Sequence, residues 1–341
     1  MTAARVLVTG GAGYIGSHTV LELLARGHDV CVVDSFANSS PEAMRRVAAL
    51  AGRAVRVERA DMRDLAAVTR LCARYRPDVV IHFAGLKAVD EAERAPLDYY
   101  DVNVSGTINV LKAMAAAGCR RIIFSSSATV YGEPRYLPLD EAHPCLPAGV
   151  YGRTKLAAET VLRDWARVTP ECSCVILRYF NPVGAHASGR IGEAPRDAPN
   201  NLMPIIAEVA VGRRAELCIY GDDWDTRDGT GLRDYIHVVD LAAAHVAALD
   251  FALAAPRGAE TFNIGSGAGA TVREVLAAYE RACGRRLPCR VAGRRPGDIA
   301  AYYANPGKAE RTLGWRARHS LDDMCRSSWN WQSRNPDGYG A

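Results

Sequence analysis

Lysine is scarce in this chain of 341 residues, since only four of its 42 basic residues are lysines and the other 38 are arginines. These basic residues are spread along the chain against 38 acidic ones, and they form no basic stripe of the kind that binds nucleic acid. The ten cysteines include no C-x-x-C pair, so neither a zinc site nor a disulfide framework is predicted. We therefore expect no nucleic-acid partner, no bound metal, and thiols buried in a reducing cytoplasm.

Long uninterrupted apolar runs are also absent. The longest apolar stretch, Val238 to Ala255, contains Asp240, His245 and Asp250, which a membrane-spanning helix tolerates poorly. At the N-terminus, a strand-like run leads straight into glycines without the regions of a signal peptide. We expect a cytoplasmic protein with no membrane span.

Short β-branched runs alternate with helical stretches along the first half of the chain. Apolar strands separated by crossover helices predict an α/β fold of the Rossmann type, a doubly wound parallel sheet covered by helices on both faces. The predicted strands are Val6 to Thr9, Val30 to Asp34, Val55 to Glu58, Val79 to Phe83, Ile122 to Ser125 and Val175 to Tyr179.

After Asn181 this pattern breaks into loops rich in Gly, Pro and Asn, with predicted helices at Asn201 to Val211 and Thr271 to Cys283. We expect a dinucleotide-binding domain over residues 1–180 and a smaller mixed α/β substrate domain over residues 181–341. Pieces of the second half, such as Phe262 to Ile264, are expected to return to the main sheet.

Glycines follow the first strand immediately, because residues 10–16 read GGAGYIG. The motif G-x-x-G-x-x-G falls at Gly10, Gly13 and Gly16, and a helix is predicted to begin near Tyr14. Such a turn lets the backbone approach a pyrophosphate while the helix N-terminus faces the anion. Asp34, at the end of the second strand, suits the ribose hydroxyls of an adenosine and would repel a 2′-phosphate, which favours NAD over NADP.

A second constellation follows the fifth strand. Ser127 ends a hydroxyl-rich segment, and Tyr151 and Lys155 lie four residues apart on the next predicted helix. On one helix face the ammonium of Lys155 is expected to lower the pKa of the Tyr151 phenol from its ordinary value of about 10. A phenolate could then accept the proton of a sugar hydroxyl, with Ser127 sharing it.

These motifs identify a short-chain dehydrogenase/reductase of the extended type, and the chain resembles the UDP-glucose 4-epimerases (UDP-galactose 4-epimerases) along nearly its whole length. Several of the segments that carry the resemblance lie outside the generic cofactor motifs. They are residues 8–18 (VTGGAGYIGSH), 82–89 (HFAGLKAV), 178–186 (RYFNPVGAH), 199–204 (PNNLMP) and 231–238 (GLRDYIHV).

The resemblance implies functional roles at matching positions. It assigns catalysis to Ser127, Tyr151 and Lys155. It assigns NAD binding to Gly10, Gly13, Tyr14, Ile15, Gly16, Asp34, Asn38, Ser39, Asp61, Met62, Phe83, Ala84, Lys87, Asn103, Tyr151, Lys155 and Tyr179. It assigns binding of the UDP-sugar to Lys87, Ser127, Tyr151, Asn181, Asn201, Leu202, Tyr220, Arg233, Arg295, Asp298 and Tyr302.

The activity implied is reversible epimerisation of UDP-glucose and UDP-galactose at C4, through a 4-keto intermediate and hydride transfer to and from tightly bound NAD. Arg233 and Arg295 independently suit a diphosphate, since each offers a planar fork of donors, although pairing with a nearby carboxylate is the ordinary alternative. The resemblance also implies a homodimer, with helices from residues 96–117 and 154–168. A bulky Tyr302 implies preference for substrates without an N-acetyl group.

Two other functions fit parts of the pattern. A nucleotide-sugar 4,6-dehydratase needs an acid and a base just after the fifth strand, where this chain has Ala128 and Thr129. A dinucleotide-binding module without catalysis would not need both Tyr151 and Lys155. The epimerase hypothesis is therefore preferred.

Overall fold

A computed structural model describes residues 3–195, 199–254, 257–295 and 297–340. Seven parallel strands form the main sheet in the order β10-β6-β5-β4-β1-β2-β3. Their bounds are β1 Arg5–Thr9, β2 Asp29–Asp34, β3 Arg56–Arg59, β4 Val79–His82, β5 Arg121–Ser127, β6 Ser173–Tyr179 and β10 Gly258–Ile264. The six predicted strands are confirmed to within two residues, and the fold class is confirmed.

Helices cover both faces of the sheet. The helices of the first half are α1 Tyr14–Ala25, α2 Pro41–Ala51, α3 Leu65–Tyr75, α4 Val89–Arg94, α5 Pro96–Tyr100, α6 Gly106–Ala116 and α7 Val150–Val168. Residues of α1 and α2 join one buried apolar cluster, whereas residues of α3, α6 and α7 join the other. Because strands buried on both faces carry few polar side chains, the strands read as continuous apolar runs.

Local signals set several helix ends. Ser40 accepts a hydrogen bond from Glu42 N at the start of α2, Pro41 occupies the first helical position, and Gly52 ends the helix in the left-handed region. Asp64 caps α3 in the same way by accepting from Ala67 N at 2.9 Å.

The second half of the chain adds a smaller mixed unit. Its helices are α8 Leu202–Ala210, α9 Val238–Leu253, α10 Val272–Cys283, α11 Gly307–Leu313 and α12 Leu321–Arg334, and its strands are β7 Asn181–Val183, β8 Leu217–Tyr220, β9 Leu232–His237, β11 Gly269–Thr271, β12 Cys289–Ala292 and β13 Ala301–Tyr302. Strand β9 pairs antiparallel with β11 and parallel with β7 and β13, while β8 pairs with β12.

The two halves are interleaved around the main sheet. The prediction that Phe262 to Ile264 returns to this sheet is confirmed, because β10 pairs with β6 along seven residues. Helix α9 also packs on the sheet, although Ala255 of the predicted apolar stretch lies outside the described residues. The boundary at residue 180 stays a prediction.

The strand order reverses direction between β1 and β4, so that a crevice opens at the carboxyl ends of these strands. Ligands of doubly wound sheets bind at such a switch point. Among the described residues, no helix is both long and apolar enough to cross a membrane.

Candidate active site

The glycine turn after β1 is packed too closely for side chains. Gly10 has a φ of +69°, and a Cβ at this position would lie 2.7 Å from Ala84 N. A Cβ on Gly16 would lie 2.4 Å from the carbonyl oxygen of Gly10. The turn therefore holds the N-terminus of α1 against the end of β1, which leaves the cradle that a pyrophosphate requires.

Asp34 ends β2 beside this turn and is 7% exposed. Its Oδ2 accepts from Ala12 N at 3.0 Å, and its Oδ1 accepts from Phe36 N and Ser39 Oγ at 2.9 and 2.8 Å. A carboxylate has about four acceptor positions, so the one held in this way can still accept from a ribose hydroxyl.

The opposite wall of the crevice comes from residues after β3 and β4. Asp61 forms an ion pair with Arg63 at 2.8 Å, and hydrogen bonding to that guanidinium lowers the pKa of the Asp61 carboxyl. Met62, Phe83 and Ala84 supply apolar surface between this carboxylate and the glycine turn.

The hydroxyl, phenol and ammonium predicted for catalysis converge at the ends of β5 and α7. Ser127 is the last residue of β5, and Tyr151 lies in the first turn of α7. Lys155 Nζ lies 5.9 Å from the centre of the Tyr151 ring and donates to Ser125 O at 2.8 Å.

Burial dominates the protonation of this pair in the chain alone. It raises the pKa of Tyr151 to about 12, partly offset by a hydrogen bond with Ser127. It lowers the pKa of Lys155 to about 8. The lowering of the Tyr151 pKa expected from its spacing to Lys155 is therefore not found, because desolvation of the phenol outweighs the neighbouring ammonium.

Polar groups of the second half close the other end of the crevice. Arg233 donates to Ile299 O at 2.7 Å, and burial lowers the pKa of its guanidinium. Arg295 forms an ion pair with Asp298 at 3.0 Å and lies over the Tyr220 ring at 4.6 Å from its centre. Arg295 therefore does pair with a nearby carboxylate, as the ordinary alternative predicted. Both Arg233 and Arg295 nevertheless line the crevice.

All of these groups line one continuous cavity of about 810 Å³. Of the predicted site residues, the structure brings 24 positions to its wall and leaves two off it, Asn103 and Tyr302. The residues on the wall are Gly10, Gly13, Tyr14, Ile15, Gly16, Asp34, Asn38, Ser39, Asp61, Met62, Phe83, Ala84, Lys87, Ser127, Tyr151, Lys155, Tyr179, Asn181, Asn201, Leu202, Tyr220, Arg233, Arg295 and Asp298.

The two residues off the wall are used inside the protein. Asn103 is buried, with its amide donating to Leu86 O and Thr154 Oγ1 and its oxygen accepting from Leu86 N. Tyr302 donates its hydroxyl to Ala128 O at 2.6 Å and packs on the ring of Phe180. Contact of either residue with a ligand stays a prediction.

Thr129, Glu193 and Trp224 are among the wall residues that were not predicted. Thr129 donates its hydroxyl to Ser127 Oγ at 3.0 Å, Glu193 forms an ion pair with Lys87 at 3.0 Å, and Trp224 donates to Tyr220 O at 3.2 Å. Thr129 could have been found from its place in the hydroxyl-rich segment. Glu193 and Trp224 belong to loops, where spacing carries no such signal.

Among the described residues, no group of three or more His, Cys, Asp and Glu side chains is placed to hold a metal ion. The cavity wall combines a dinucleotide cradle, the Tyr151–Lys155 pair and two arginines.

Known proteins share both the sequence and this architecture. The NAD dependent epimerase/dehydratase family matches residues 6–265. UDP-glucose 4-epimerase of Mus musculus is 54% identical over 346 residues, which cover 99% of each protein. The crystal structure of UDP-glucose 4-epimerase from Bifidobacterium longum in complex with NAD+ and UDP is 51% identical, with a TM-score of 0.94 over 98% of this chain and 99% of that one. The enzyme from Stenotrophomonas maltophila, with bound NAD and formylated UDP-arabinopyranose, is 48% identical, with a TM-score of 0.95 over 98% and 99% of the two chains.

A doubly wound sheet with a dinucleotide cradle and a buried tyrosine–lysine pair defines an enzyme that works with a nicotinamide cofactor, and the chain belongs to the NAD dependent epimerase/dehydratase family. Its relatives over the full length are UDP-glucose 4-epimerases, so within the family it is an isomerase that uses NAD. The resemblance noted in the sequence and the expected cofactor are confirmed.

Proposed function

We propose that the chain interconverts UDP-glucose and UDP-galactose at C4 through a 4-keto sugar, with Tyr151 as acid and base. The observation that carries this proposal is the single cavity that joins the glycine cradle, the Tyr151–Lys155 pair and the two arginines. Relatives that match it over the full length are UDP-glucose 4-epimerases, which are named for this activity.

The cavity fits NAD at its glycine end. The close packing at Gly10 and Gly16 holds the N-terminus of α1 at the glycine turn, where its amides suit the pyrophosphate, and Asp34 suits the adenosine ribose. Tyr179, whose hydroxyl hydrogen-bonds with Ser125 Oγ, and Lys155 would hold the nicotinamide half. Bound NAD supplies a hydride acceptor and donor for C4 and a positive ring charge beside the phenol.

The proton at the sugar O4 is the task of the protein side chains. As a phenolate, Tyr151 takes this proton. It returns the proton to O4 when the 4-keto sugar is reduced to the opposite epimer. The Ser127 hydrogen bond favours the phenolate and offsets part of the desolvation that raises the pKa of Tyr151 to about 12. The Lys155 ammonium, 5.9 Å from the centre of the ring, and the positive ring of bound NAD would favour the phenolate further.

The nucleotide would bind at the end of the cavity that Arg233 and Arg295 line. Arg233 and Arg295 would present donor forks to the diphosphate, and Tyr220, whose ring lies under the Arg295 guanidinium, would lie beside the uracil. The 4-keto sugar must rotate so that its opposite face receives the hydride. The site is therefore expected to bind UDP tightly and the hexose more loosely. The other groups proposed to touch the UDP-sugar are Lys87, Asn181, Asn201, Leu202 and Asp298.

Proton NMR with UDP-galactose tests the activity directly. We expect the purified protein, with no added cofactor, to convert the anomeric signal of UDP-galactose into that of UDP-glucose. Conversion without added NAD also demonstrates the retained cofactor. If nothing is converted even with NAD added, the proposed substrate is wrong and other nucleotide sugars have to be tried.

Substrate breadth is expected to depend on Tyr302. Its ring fills the space between Phe180 and Ala128, next to the catalytic strand end, so a 2-acetamido group has little room there. We expect turnover of UDP-GlcNAc to be about tenfold or more below that of UDP-glucose, and Tyr302→Ser to narrow this gap. Tyr302→Phe is the matched control, because it keeps the ring; comparable turnover of both sugars by the unaltered protein would refute the prediction.

We also propose a homodimer in the cytoplasm. Leu97 on α5 is 81% exposed, and Val89 on α4 and Tyr100 on α5 are exposed as well, so that a second copy of the chain could bury apolar side chains here. Light scattering is expected to give about twice 36.8 kDa, and Leu97→Asp to favour the monomer.

All ten cysteines are free, and six of them are buried, which suits a reducing compartment.

A further inference from the structure

A buried carboxylate lies directly behind the catalytic residues. Glu159 is on α7, one turn after Lys155, and is fully buried. Its Oε1 accepts from Ser126 Oγ at 2.5 Å and from Arg178 Nε at 2.9 Å, and its Oε2 accepts from Arg178 Nη2 at 2.5 Å. The proton transfer described above gives this carboxylate no role.

Glu159 also pairs with Arg163 on its own helix at 3.5 Å, and its two partners from the sheet are next in sequence to residues of the cavity. Ser126 precedes Ser127 at the end of β5, and Arg178 precedes Tyr179 at the end of β6. The two strands are paired in register there, with Ser126 opposite Arg178 and Ser127 opposite Tyr179. Because side chains alternate along a strand, the carboxylate holds the rear of both strand ends while their front faces the cavity.

Arg178 is itself fixed by its surroundings. Its guanidinium lies over the Tyr131 ring at 4.8 Å from the centre, and Tyr131 donates to Asn263 Oδ1 at 2.6 Å. Since Asn263 belongs to β10, the ion pair ties α7 to three neighbouring strands. The position of the helix that carries Tyr151 and Lys155 is thereby set relative to Ser127.

Glu159 also affects the charge of Lys155. Burial lowers the pKa of the Lys155 ammonium, and the Glu159 carboxylate raises it. The other titratable groups around this lysine are Tyr151 on α7, Tyr179 and Arg178 on β6, and His82 on β4, and of these only the Tyr151 phenolate is negative when the site is ready to react. Glu159 adds a second, fully buried carboxylate one helical turn from the Lys155 ammonium.

We propose that Glu159 is a positioning residue for the epimerase reaction, which holds Ser127, Tyr179 and α7, the helix of Tyr151 and Lys155, in register. The proposal rests on the function proposed above for Tyr151 and Lys155. It extends the catalytic apparatus by a residue that does not touch the cofactor or the sugar.

The scarcity of lysine gives a direct test on the holoenzyme. Protein labelled with [ε-¹³C]lysine contains four labelled side chains, and the signal lost in Lys155→Arg identifies Lys155. We expect Glu159→Gln to move the titration of this signal to lower pH by about one unit, and Glu159→Asp to restore most of the shift. An unmoved titration in Glu159→Gln would overturn the role in charge.

Asp240→Asn is the matched control. Asp240 is also buried and accepts from Arg318 N and His319 N at 2.9 Å, but it lies outside the cavity wall. We expect this variant to lower Tm without moving the Lys155 signal. A shift as large as that of Glu159→Gln would mean that general destabilisation explains both, and the proposal would fail.

Ser126→Ala tests positioning without leaving a charge unpaired, in case Glu159→Gln does not fold. We expect kcat for UDP-galactose to fall about fivefold, with KM within about twofold, because Ser127 loses its rear support. An unchanged kcat would overturn the positioning role. If the unaltered protein does not turn over UDP-galactose, the proposed function fails, whereas the lysine titration still decides the charge role of Glu159.

Discussion

Replacing Tyr151 by phenylalanine is expected to abolish epimerisation while leaving NAD bound. The phenol is the group placed to take the O4 proton, and Tyr151→Phe removes it without opening a cavity. General acid–base groups contribute about 10²–10⁴-fold to rate, so we expect kcat to fall by about 10³-fold. Proton NMR with UDP-galactose measures the loss, and release of the nucleotide by acid measures the NAD retained.

Tyr75→Phe provides the matched control for this variant. The Tyr75 ring is buried, and its hydroxyl donates at 2.8 Å to the carbonyl oxygen of Asp29, the first residue of β2. We expect full turnover and full NAD content in this control. Activity of Tyr151→Phe above about a tenth of that of the unaltered protein would remove the phenol from the mechanism.

The main sheet was predictable because its strands are buried on both faces. Runs such as residues 79–81 (VVI) are apolar throughout, and their order along the chain leaves few alternatives to a doubly wound sheet. The pairing of β10 with β6 is a long-range event, and only a general return of this segment to the sheet was predictable.

Most of the site was predictable because its residues sit at fixed offsets from strand ends. The glycine turn, Asp34 and the pair Tyr151 and Lys155 are local patterns, and topology brings them to one crevice. The use of Asn103 and Tyr302 within the protein depends on which groups pack beside them, which sequence spacing does not specify.

The pKa of Tyr151 likewise depends on more than local sequence spacing. The four-residue spacing to Lys155 predicts a lowered pKa, but the extent of burial is a property of the whole fold and raises it to about 12. Glu159 was equally hidden, since its sequence position one turn after Lys155 gives no indication that Ser126 and Arg178 lie against it.

Adding a single methyl group at Gly16 is expected to remove the cofactor. The new Cβ would lie 2.4 Å from Gly10 O and 2.7 Å from Gly11 Cα, both of them backbone atoms. The turn and α1 must then separate, at a cost of about 1–3 kcal/mol in stability, and the amides no longer converge on the pyrophosphate. We expect Gly16→Ala to retain less than about a tenth of the NAD of the unaltered protein, with excess NAD restoring part of the turnover.

Gly118→Ala is the control that distinguishes a steric clash of the added Cβ from backbone strain. Gly118 has a φ of +73°, but nothing lies within 4 Å of an added Cβ. The variant is expected to lose about 1 kcal/mol of stability and to keep its NAD. If Gly16→Ala also kept its NAD, the close packing of Gly16 against Gly10 would not be what shapes the cofactor site, and the cradle would have to be assigned to the remaining glycines and Asp34. Loss of NAD in Gly16→Ala but not in Gly118→Ala would instead attribute the cradle to the contact between the turn and α1.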